Sequence, residues 1–438
     1  MGSSSGGAPD RAPGRLVVRT VAVPDPGDLI GRLPGPRPLA WIRRGEGLVG
    51  WGSAAMITLP AGADRFAAGE KWLREIFDGA EVTDEVRVPG SGPVAFGSFT
   101  FDPASDGSVL IVPRTVAGRR DGAAWVTTIS PERDSRAAPG DPGAAPPRAG
   151  LPRRAPLSAP LSAPSAVRWS DGRLTAPEWE HAVAAAVAAI RAGAVRKVVL
   201  ALDLYAVAAQ DLDARVLLSR LAERYPDCYT FSCAGLVGAT PELYIRRTGR
   251  ALHSLVLAGT MPRGATAGED ARIGARLLAS AKDQDEHQYA VADVRAALAP
   301  LCASLEVEGT PSLLRLANVQ HLATRVNGTL ADGEAACSAL ALAAALHPTA
   351  AVCGTPAEPA MELIRELEVM DRGRYGGPVG WMDAHGNGEW GIALRCGEIS
   401  GRQARLFAGC GIVAGSDPAA ELAEARAKFW PMRHAIEG

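Results

Sequence analysis

Short apolar runs interrupted by glycine and proline fill the first part of the chain. Runs of this length, rich in β-branched and aromatic residues and bounded by turn formers, are typical of β-strands. They predict strands within residues 15–23, 47–57, 92–101 and 108–116. We therefore predict that residues 15–132 form a strand-rich N-terminal part.

After residue 175, apolar residues begin to recur with the period of an α-helix. Within residues 176–193 the large apolar residues recur at helical spacing, which predicts an amphipathic helix. The same kind of pattern predicts one long helix over residues 272–301 and a last helix over residues 418–436. The predicted helices therefore fall in the second part of the chain.

Further apolar runs predict strands between and after these helices, within residues 197–207, 228–239, 376–384, 389–399 and 403–413. Strands and helices do not alternate regularly, so a doubly wound parallel sheet is not indicated. We expect an α+β fold instead.

Two stretches lack the composition of a packed core. Residues 1–14 contain no apolar segment of the kind that a signal peptide needs, and we expect a disordered leader. Residues 133–166 are rich in proline and alanine and can bury too little apolar surface to offset the entropy of ordering, so we expect a flexible insertion. The core of the protein is then expected over residues 167–438.

Composition mainly excludes classes of function. The net charge of −2 gives no basic surface for nucleic acid or an anionic membrane. No apolar run is long enough to span a bilayer. The seven cysteines form no CxxC pair, which argues against a disulfide framework or a zinc site and for a reducing compartment. We expect a cytoplasmic protein that binds neither nucleic acid nor membranes.

Lysine is rare in this chain, and arginine supplies most of the positive charge. There are only four lysines: Lys71, Lys197, Lys282 and Lys428. Lys197 directly precedes an apolar strand, where a lysine usually marks the solvent boundary. In a chain that otherwise uses arginine, it also indicates a site that needs a compact amine able to lose its proton.

Several acidic residues are candidates for a metal site. Glu421, Glu424 and Lys428 are spaced so that they share one face of the last helix, and Glu286 lies in the long predicted helix. One interpretation is a solvated face with a salt bridge. The other is a Mg²⁺ site, because Mg²⁺ is commonly held by one or two carboxylates together with oxygens of the substrate.

Four further features carry possible chemistry. Glu242 follows a break between strands and is either a turn residue or, if enclosed, a general acid with a raised pKa. Arg395 lies within an apolar strand and therefore needs an acidic partner or an anionic ligand. His321 has the pattern of a core histidine more often than of a catalyst. Glycine-rich turns are predicted at two strand ends, around Gly259 and Gly411.

Ordered motifs in the second part of the chain resemble those of the chorismate-utilising enzymes, and among them the isochorismate synthases. The motifs are "KVVLAL", "GATPEL", "LAGTMPRG", "KDQDEH", "QHLATRVNG", "LHPTAAVCGTP", "DRGRYGGPVGW", "GNGEW", "ALRC", "AGCGIV" and "ELAEARAK". The N-terminal part is less similar, although "FGSFTFDP" fits the family pattern.

This resemblance implies a single large chorismate-binding domain of two antiparallel β-sheets flanked by helices. It implies that Mg²⁺ is held by Glu286 and Glu424, with Glu421 in contact directly or through water. Lys197 falls at the general base that activates water for attack on ring carbon C2, and Glu242 at the acid that protonates the departing C4 hydroxyl. The residues that would contact the substrate chorismate are Ala258, Gly259, Thr260, His321, Ala351, Tyr375, Arg395, Gly411 and Lys428.

The resemblance also helps to separate the reactions within the family. Aminating relatives typically carry glutamine where Lys197 stands, so water is the expected nucleophile and no glutamine amidotransferase subunit is required. Salicylate synthases share this lysine and go on to eliminate pyruvate, and they remain the main alternative. An aminating chorismate enzyme and an inactive relative are the further alternatives. A monomer is expected, and the pathway that uses the product stays open between siderophore synthesis, menaquinone synthesis and another salicylate- or catecholate-derived metabolite. Leu202, Gln284 and Cys410 depart from the family pattern.

Overall fold

A computed structural model describes residues 15–132, 167–332 and 337–438. The predicted leader and the predicted insertion, residues 1–14 and 133–166, lie outside the described residues. Within the described part, two large β-sheets and eight α-helices form the fold, so the prediction of an α+β protein is confirmed.

The first sheet has thirteen strands, and its strands come from both ends of the chain. In spatial order they are β10 (Val167–Asp171), β11 (Lys197–Ala208), β23 (Gln403–Ile412), β22 (Cys396–Ser400), β13 (Leu236–Thr240), β12 (Tyr229–Cys233), β2 (Leu39–Arg43), β3 (Glu46–Trp51), β8 (Thr115–Arg120), β9 (Ala123–Pro131), β1 (Leu16–Ala22) and β5 (Glu81–Asp84), with β19 (Gly354–Thr355) beside β11.

The second sheet has ten strands. In spatial order they are β16 (Cys302–Val307), β18 (Val319–Leu330), β15 (Ala251–Pro262), β14 (Leu243–Thr248), β21 (Gly388–Ile392), β20 (Pro378–Asp383), β6 (Val94–Ser98), β7 (Ser108–Val112) and β4 (Ala55–Leu59), with β17 (Ser312–Arg315) beside β18. The two sheets are antiparallel as expected, except that β1 and β5 pair in parallel.

The helices are α1 (Arg65–Asp78), α2 (Ala176–Arg191), α3 (Ala214–Arg224), α4 (Ala267–Ala279), α5 (Ala281–Leu298), α6 (Ala339–Leu346), α7 (Ala357–Glu368) and α8 (Pro418–Glu437). Helix α8 packs on β23, α7 on β11 and α5 on β15, so helices flank both sheets. Among the described helices, none combines the length and the apolar character required to cross a bilayer.

A buried core lies between the sheets. One cluster of buried side chains joins Trp41 and Phe231 of the first sheet to Phe96 and Trp381 of the second. Trp41 also donates a hydrogen bond of 2.8 Å from its indole N–H to the carboxylate of Glu389, on a strand of the second sheet. The sheets therefore share apolar and polar contacts over the same interface.

Several apolar runs that predict one strand are two strands in different sheets. The run 47–57 continues from β3 in the first sheet to β4 in the second, and the run 389–399 passes from β21 back to β22 in the first sheet. The run 108–116 is likewise divided at Pro113. The strands of the two sheets are buried alike, so the hydrophobic pattern alone does not show where the chain passes from one sheet to the other.

The predicted long helix over residues 272–301 is wrong. The structure has two helices, because Ser280 leaves the helical conformation and caps α5 by accepting a hydrogen bond from the backbone N–H of Asp283. Gln284, one of the departures from the family pattern, donates to the carbonyl of Leu278 at the end of α4. The polar side chains at the break therefore satisfy backbone groups of both helices.

A buried ion pair ties α7 to β11. The carboxylate of Glu368 and the guanidinium of Arg372 contact each other and are both almost fully buried. Glu368 also accepts a hydrogen bond from the backbone N–H of Ala201, while Arg372 donates to the carbonyls of Val199 and Val352. Every charged atom of the pair has a partner, which is the condition under which a buried pair is tolerated.

We expect Glu368→Gln to lower the free energy of unfolding by about 3–5 kcal/mol, because the substitution leaves the Arg372 charge buried without its counter-ion. Glu75→Gln is the control, since Glu75 pairs with Lys71 on an exposed face of α1 and should change stability by about 0.5 kcal/mol or less. Urea titration measures both values. Equal effects of the two substitutions would contradict the role of the buried pair.

Candidate active site

Two neighbouring crossings between the sheets place an acid and a cation side by side. Glu242 lies in the link from β13 to β14, and Arg395 lies in the link from β21 to β22. The links are joined by backbone hydrogen bonds, from Ile392 to the carbonyl of Glu242 at 3.3 Å and from Ala239 to the carbonyl of Arg395 at 3.2 Å. The prediction that Arg395 lies inside a strand is therefore wrong. The residue lies in a connection between strands, where its φ is +48°.

The environment of Glu242 changes the acidity of its carboxyl group. The residue is 6% exposed, and its Oε1 accepts a hydrogen bond of 3.4 Å from the backbone N–H of Leu257. Burial raises the pKa of Glu242 to about 8, although the Leu257 hydrogen bond and the charges of Lys197 and Arg395 oppose the shift. Glu242 is therefore protonated at neutral pH and can donate a proton.

Glycines leave open the face of β23 that borders the cleft. Gly411 pairs with Val199 of β11, and a Cβ at position 411 would lie 2.5 Å from Glu286 Oε1 and 3.0 Å from Lys197 Cε. A Cβ at Gly409 would lie 3.2 Å from the hydroxyl of Tyr375. Both glycines stand within the strand rather than in the predicted turn, and they are needed for close approach of neighbouring groups.

A bulge in β15 brings three further predicted residues to the cleft. The pairing of β15 with β18 shifts between Ala258 and Thr260, and Gly259 between them has a φ of +71°. The hydroxyl of Thr260 and the Nδ1 of His321 form a hydrogen bond of 3.0 Å. Burial, together with the charges of Arg395 and Lys428, lowers the pKa of His321 to about 3, so its imidazole is neutral.

These elements enclose a cleft of about 840 Å³, a volume that includes its open mouth. The predicted site residues that line it are Glu242, Ala258, Gly259, Thr260, Glu286, His321, Ala351, Tyr375, Arg395, Gly411, Glu421, Glu424 and Lys428. Lys197 is fully buried immediately beside it and contacts Glu286. The structure therefore brings together every residue that the sequence proposed for the site.

Each of the three predicted metal-binding carboxylates is paired with a lysine. The nitrogen–oxygen distances are 3.1 Å for Lys197 and Glu286, 3.2 Å for Lys282 and Glu421, and 2.6 Å for Lys428 and Glu424. The contact of Lys197 lacks hydrogen-bond geometry, so its buried side-chain nitrogen has no hydrogen-bond acceptor among the described residues. Three of the four lysines of the chain therefore stand at this cleft.

The start of α8 explains how two of the carboxylates reach the cleft. Asp417 caps the helix by accepting from the N–H of Ala420, and Pro418 occupies its first position. Glu421 and Glu424 then fall on the face that turns toward β23. The prediction that they share one helical face with Lys428 is confirmed by this placement.

The clustered carboxylates fit a hard divalent cation. Burial and the negative charge of Glu424 raise the pKa of Glu421, and burial with the charges of Glu286 and Glu424 raises that of Asp283. For Glu424, burial acts to raise the pKa, but the charge and hydrogen bond of Lys428 together with the charges of Lys282 and Arg395 lower it overall. Repulsion among oxygens of this kind is relieved by Mg²⁺, which prefers carboxylate ligands. The Sγ of Cys410 lies near the acidic groups but donates to the backbone carbonyl of Glu421.

Cations and a phenol also face into the cleft. The ammonium of Lys428 donates to the carbonyl of Gly409 at 2.8 Å, and Tyr375 stacks on Phe407 with ring centroids 5.2 Å apart. Burial raises the pKa of Tyr375 to about 12, so its hydroxyl keeps its proton. Together with Arg395, these groups offer hydrogen-bond donors to an anionic ligand.

Sequence reasoning missed three charged residues that line the cleft: Lys282, Asp283 and Arg372. The rarity of lysine, which singled out Lys197, applied equally to Lys282. Asp283 lies one helical turn before Glu286. In the predicted continuous helix, nothing distinguished it from acidic residues that are exposed to solvent. Leu202, which departs from the family pattern, is buried in β11, and nothing in the structure explains the preference for leucine there.

Comparisons with known proteins agree with the motifs. A family model described as "Chorismate binding enzyme" matches residues 41–437. The isochorismate synthase DhbC of Bacillus subtilis (strain 168) is 42% identical over 270 residues, which cover 59% of this chain and 67% of that protein. The isochorismate synthase MenF of the same organism is 33% identical over 400 residues, covering 84% and 80% of the two chains.

A solved structure described as a putative 2,3-dihydroxybenzoate-specific isochorismate synthase, DhbC from Bacillus anthracis, superposes with a TM-score of 0.74 at 30% identity. It covers 93% of this chain and 98% of that chain. Among the first three curated relatives, the matched part spans 54% to 67% of their lengths. The resemblance inferred from the sequence motifs is confirmed at the level of family and fold.

We expect the carboxyl group of Glu242 to titrate near pH 8. Because its pKa is raised, the group is protonated below this pH, and its carbonyl stretching band should disappear as the pH rises through about 8. Infrared difference spectra between the protein and its Glu242→Gln variant isolate this band from those of other buried acids. A Glu242 band lost near pH 4.5, the ordinary value for glutamic acid, would contradict the expected shift.

Proposed function

The chain belongs to the chorismate binding enzyme family, and we propose that it converts chorismate to isochorismate. The observation that carries this proposal is that a buried amine and a protonated carboxyl group are both present at one cleft. Lys197 is fully buried and has no hydrogen-bond acceptor among the described residues, while Glu242 is protonated at neutral pH. An exchange of hydroxyl groups needs a base that takes a proton from the entering water and an acid that gives a proton to the departing hydroxyl.

Lys197 and Glu242 divide the proton transfers of the reaction. The neutral amine form of Lys197 takes a proton from a water molecule as the oxygen of that water bonds to C2 of the ring. The double bonds then shift, the bond from C4 to its hydroxyl breaks, and Glu242 gives its proton to the departing oxygen. One water enters and one leaves, so the substrate and the product are isomers and no redox cofactor takes part.

Cationic groups of the cleft hold the enolpyruvyl carboxylate of the substrate. Arg395 and Lys428 supply positive charge, Tyr375 supplies a hydroxyl donor, and the bare backbone at Gly411 lets the ligand approach closely. Ala258, Gly259, Thr260, His321 and Ala351 line the remaining wall. The Nε2 of the neutral His321 imidazole has no hydrogen-bond partner within the described part of the chain, so it can hydrogen-bond a hydroxyl of the substrate.

Mg²⁺ is the proposed cofactor, with Glu286 and Glu424 as ligands and Glu421 in contact directly or through water. When bound, it neutralises the ring carboxylate of chorismate and fixes that group among the acidic side chains. We further propose that the protein acts in the cytoplasm as a monomer, without a glutamine amidotransferase subunit.

A product assay tests the proposed function. Purified protein incubated with chorismate and Mg²⁺ should form isochorismate, which chromatography separates from other products. Salicylate with pyruvate would identify a salicylate synthase, since those enzymes share Lys197. Product that forms only with ammonium would identify an aminating enzyme.

Lys197→Gln should abolish isochorismate formation, because an amide cannot accept the proton of water. The matched control is Lys71→Gln, since Lys71 is exposed on α1 and should keep full activity. Circular dichroism of both variants confirms that each is folded. Unchanged turnover in Lys197→Gln would remove this residue from the role of base.

Gly411→Ala should lower turnover by about 100-fold, because the new methyl group displaces Glu286 and the Lys197 side chain from their positions. Gly415→Ala is the control, since no atom lies within 4 Å of a Cβ at that position, and it should change turnover by less than about twofold. Steady-state kinetics with chorismate compares the two. Full activity of Gly411→Ala would show that the close approach is not required.

A further inference from the structure

Lys282 occupies a position that its own helix does not favour. It lies in the first turn of α5, where the helix dipole presents positive charge and acidic residues are preferred. The cap of that turn comes from Ser280, not from Lys282. The lysine therefore contributes nothing evident to the start of the helix, and its contacts outside the helix have to account for it.

Those contacts are with the acidic side of the cleft. The Nζ of Lys282 donates a hydrogen bond of 3.2 Å to Oε1 of Glu421, an oxygen that also accepts from the hydroxyl of Ser416 at 2.7 Å. The ammonium lies close enough to act electrostatically on Asp283, Glu286 and Glu424 as well. The charge of Lys282 therefore acts on the neighbouring carboxylates as well as on its own partner Glu421.

The three lysines of the cleft differ in how freely they can leave their partners. The side chain of Lys197 is fully buried and that of Lys428 is 11% exposed, whereas that of Lys282 is 45% exposed. Lys428 is also fixed by its hydrogen bond to the carbonyl of Gly409. Only Lys282, among these three, can move its ammonium into water without crossing a packed interior.

We propose that Lys282 is an internal counter-cation, which neutralises Glu421 while no divalent metal is bound and withdraws into solvent when the metal arrives. The inference rests on the proposed function, in which Glu421 is part of the metal site. A divalent cation at these oxygens repels the ammonium, and the two compete for the same carboxylate. Lys282 thus keeps the acidic group together before loading and lowers the affinity for the metal.

Two substitutions of Lys282 give opposite expectations. Lys282→Met removes the competing charge while keeping the aliphatic stem, and it should tighten metal binding by about fivefold or more. Lys282→Arg keeps the charge and can hold a carboxylate with two parallel hydrogen bonds, so it should weaken metal binding relative to the wild type. A residue that merely supports the fold would give loss of affinity in both variants.

The experiment measures metal binding without turnover. Mn²⁺ serves as the probe, and the electron paramagnetic resonance signal of free Mn²⁺ reports its binding to each protein in the absence of chorismate. Thermal unfolding of the metal-free proteins is recorded in parallel. Lys282→Met should unfold at a lower temperature than the wild type and regain the difference when the metal is added. Lys71→Met is the matched control, and it should bind Mn²⁺ as the wild type does.

The outcomes separate this inference from the proposed function. Tighter binding in Lys282→Met with weaker binding in Lys282→Arg supports the counter-cation. If the wild type binds Mn²⁺ and Lys282→Met binds it equally or more weakly, the counter-cation is wrong and the metal site stands. If the wild type binds no Mn²⁺, the metal site of the proposed function fails, and the counter-cation fails with it.

Discussion

The site depends on one constraint of the fold: the chain has to pass between the two sheets, and it does so twice at the same place. The links from β13 to β14 and from β21 to β22 run side by side and bond to each other through their backbones. Residues in such links leave the regular ladder, so their side chains can turn into the space between the sheets. Glu242 and Arg395 are the residues that do so. The position of the acid and of the cation is therefore set by the architecture rather than by a mobile loop.

Around these two links, most acidic side chains of the cleft are balanced by a nearby cationic side chain. Acidic groups from α5 and α8 contact lysines in separate pairs, and the buried Arg372, which lines the cleft, is paired with Glu368. The pairs allow several ionised carboxylates to share a confined volume, because a positive charge close to each one offsets the repulsion between them. Glu242 forms no such pair, and burial there outweighs the opposing hydrogen bond and charges, so its proton is retained at neutral pH. One cleft thus contains both carboxylates suited to a cation and a carboxyl group suited to proton donation.

Much of this arrangement could be predicted from the sequence, and the failures have physical causes. The spacing of Glu421, Glu424 and Lys428 fixed their common face because a capped helix has a regular period. The continuous apolar run around Arg395 concealed a change of sheet, since strands of both sheets are buried alike. The break at Ser280 was missed because helical period continues on either side of it. Lys282 was left without a role because its partner, Glu421, lies far away in sequence and only the fold brings them together.

The scarcity of lysine has a practical consequence for covalent chemistry on this protein. Amine-directed reagents find two lysines with substantial exposure, Lys71 on α1 and Lys282 at the mouth of the cleft, whereas Lys197 and Lys428 are shielded. Acylation of the first leaves the cleft untouched, and acylation of the second alters its rim. The chain therefore offers, without any engineering, a handle for attaching a probe at the entrance and a second attachment point remote from it.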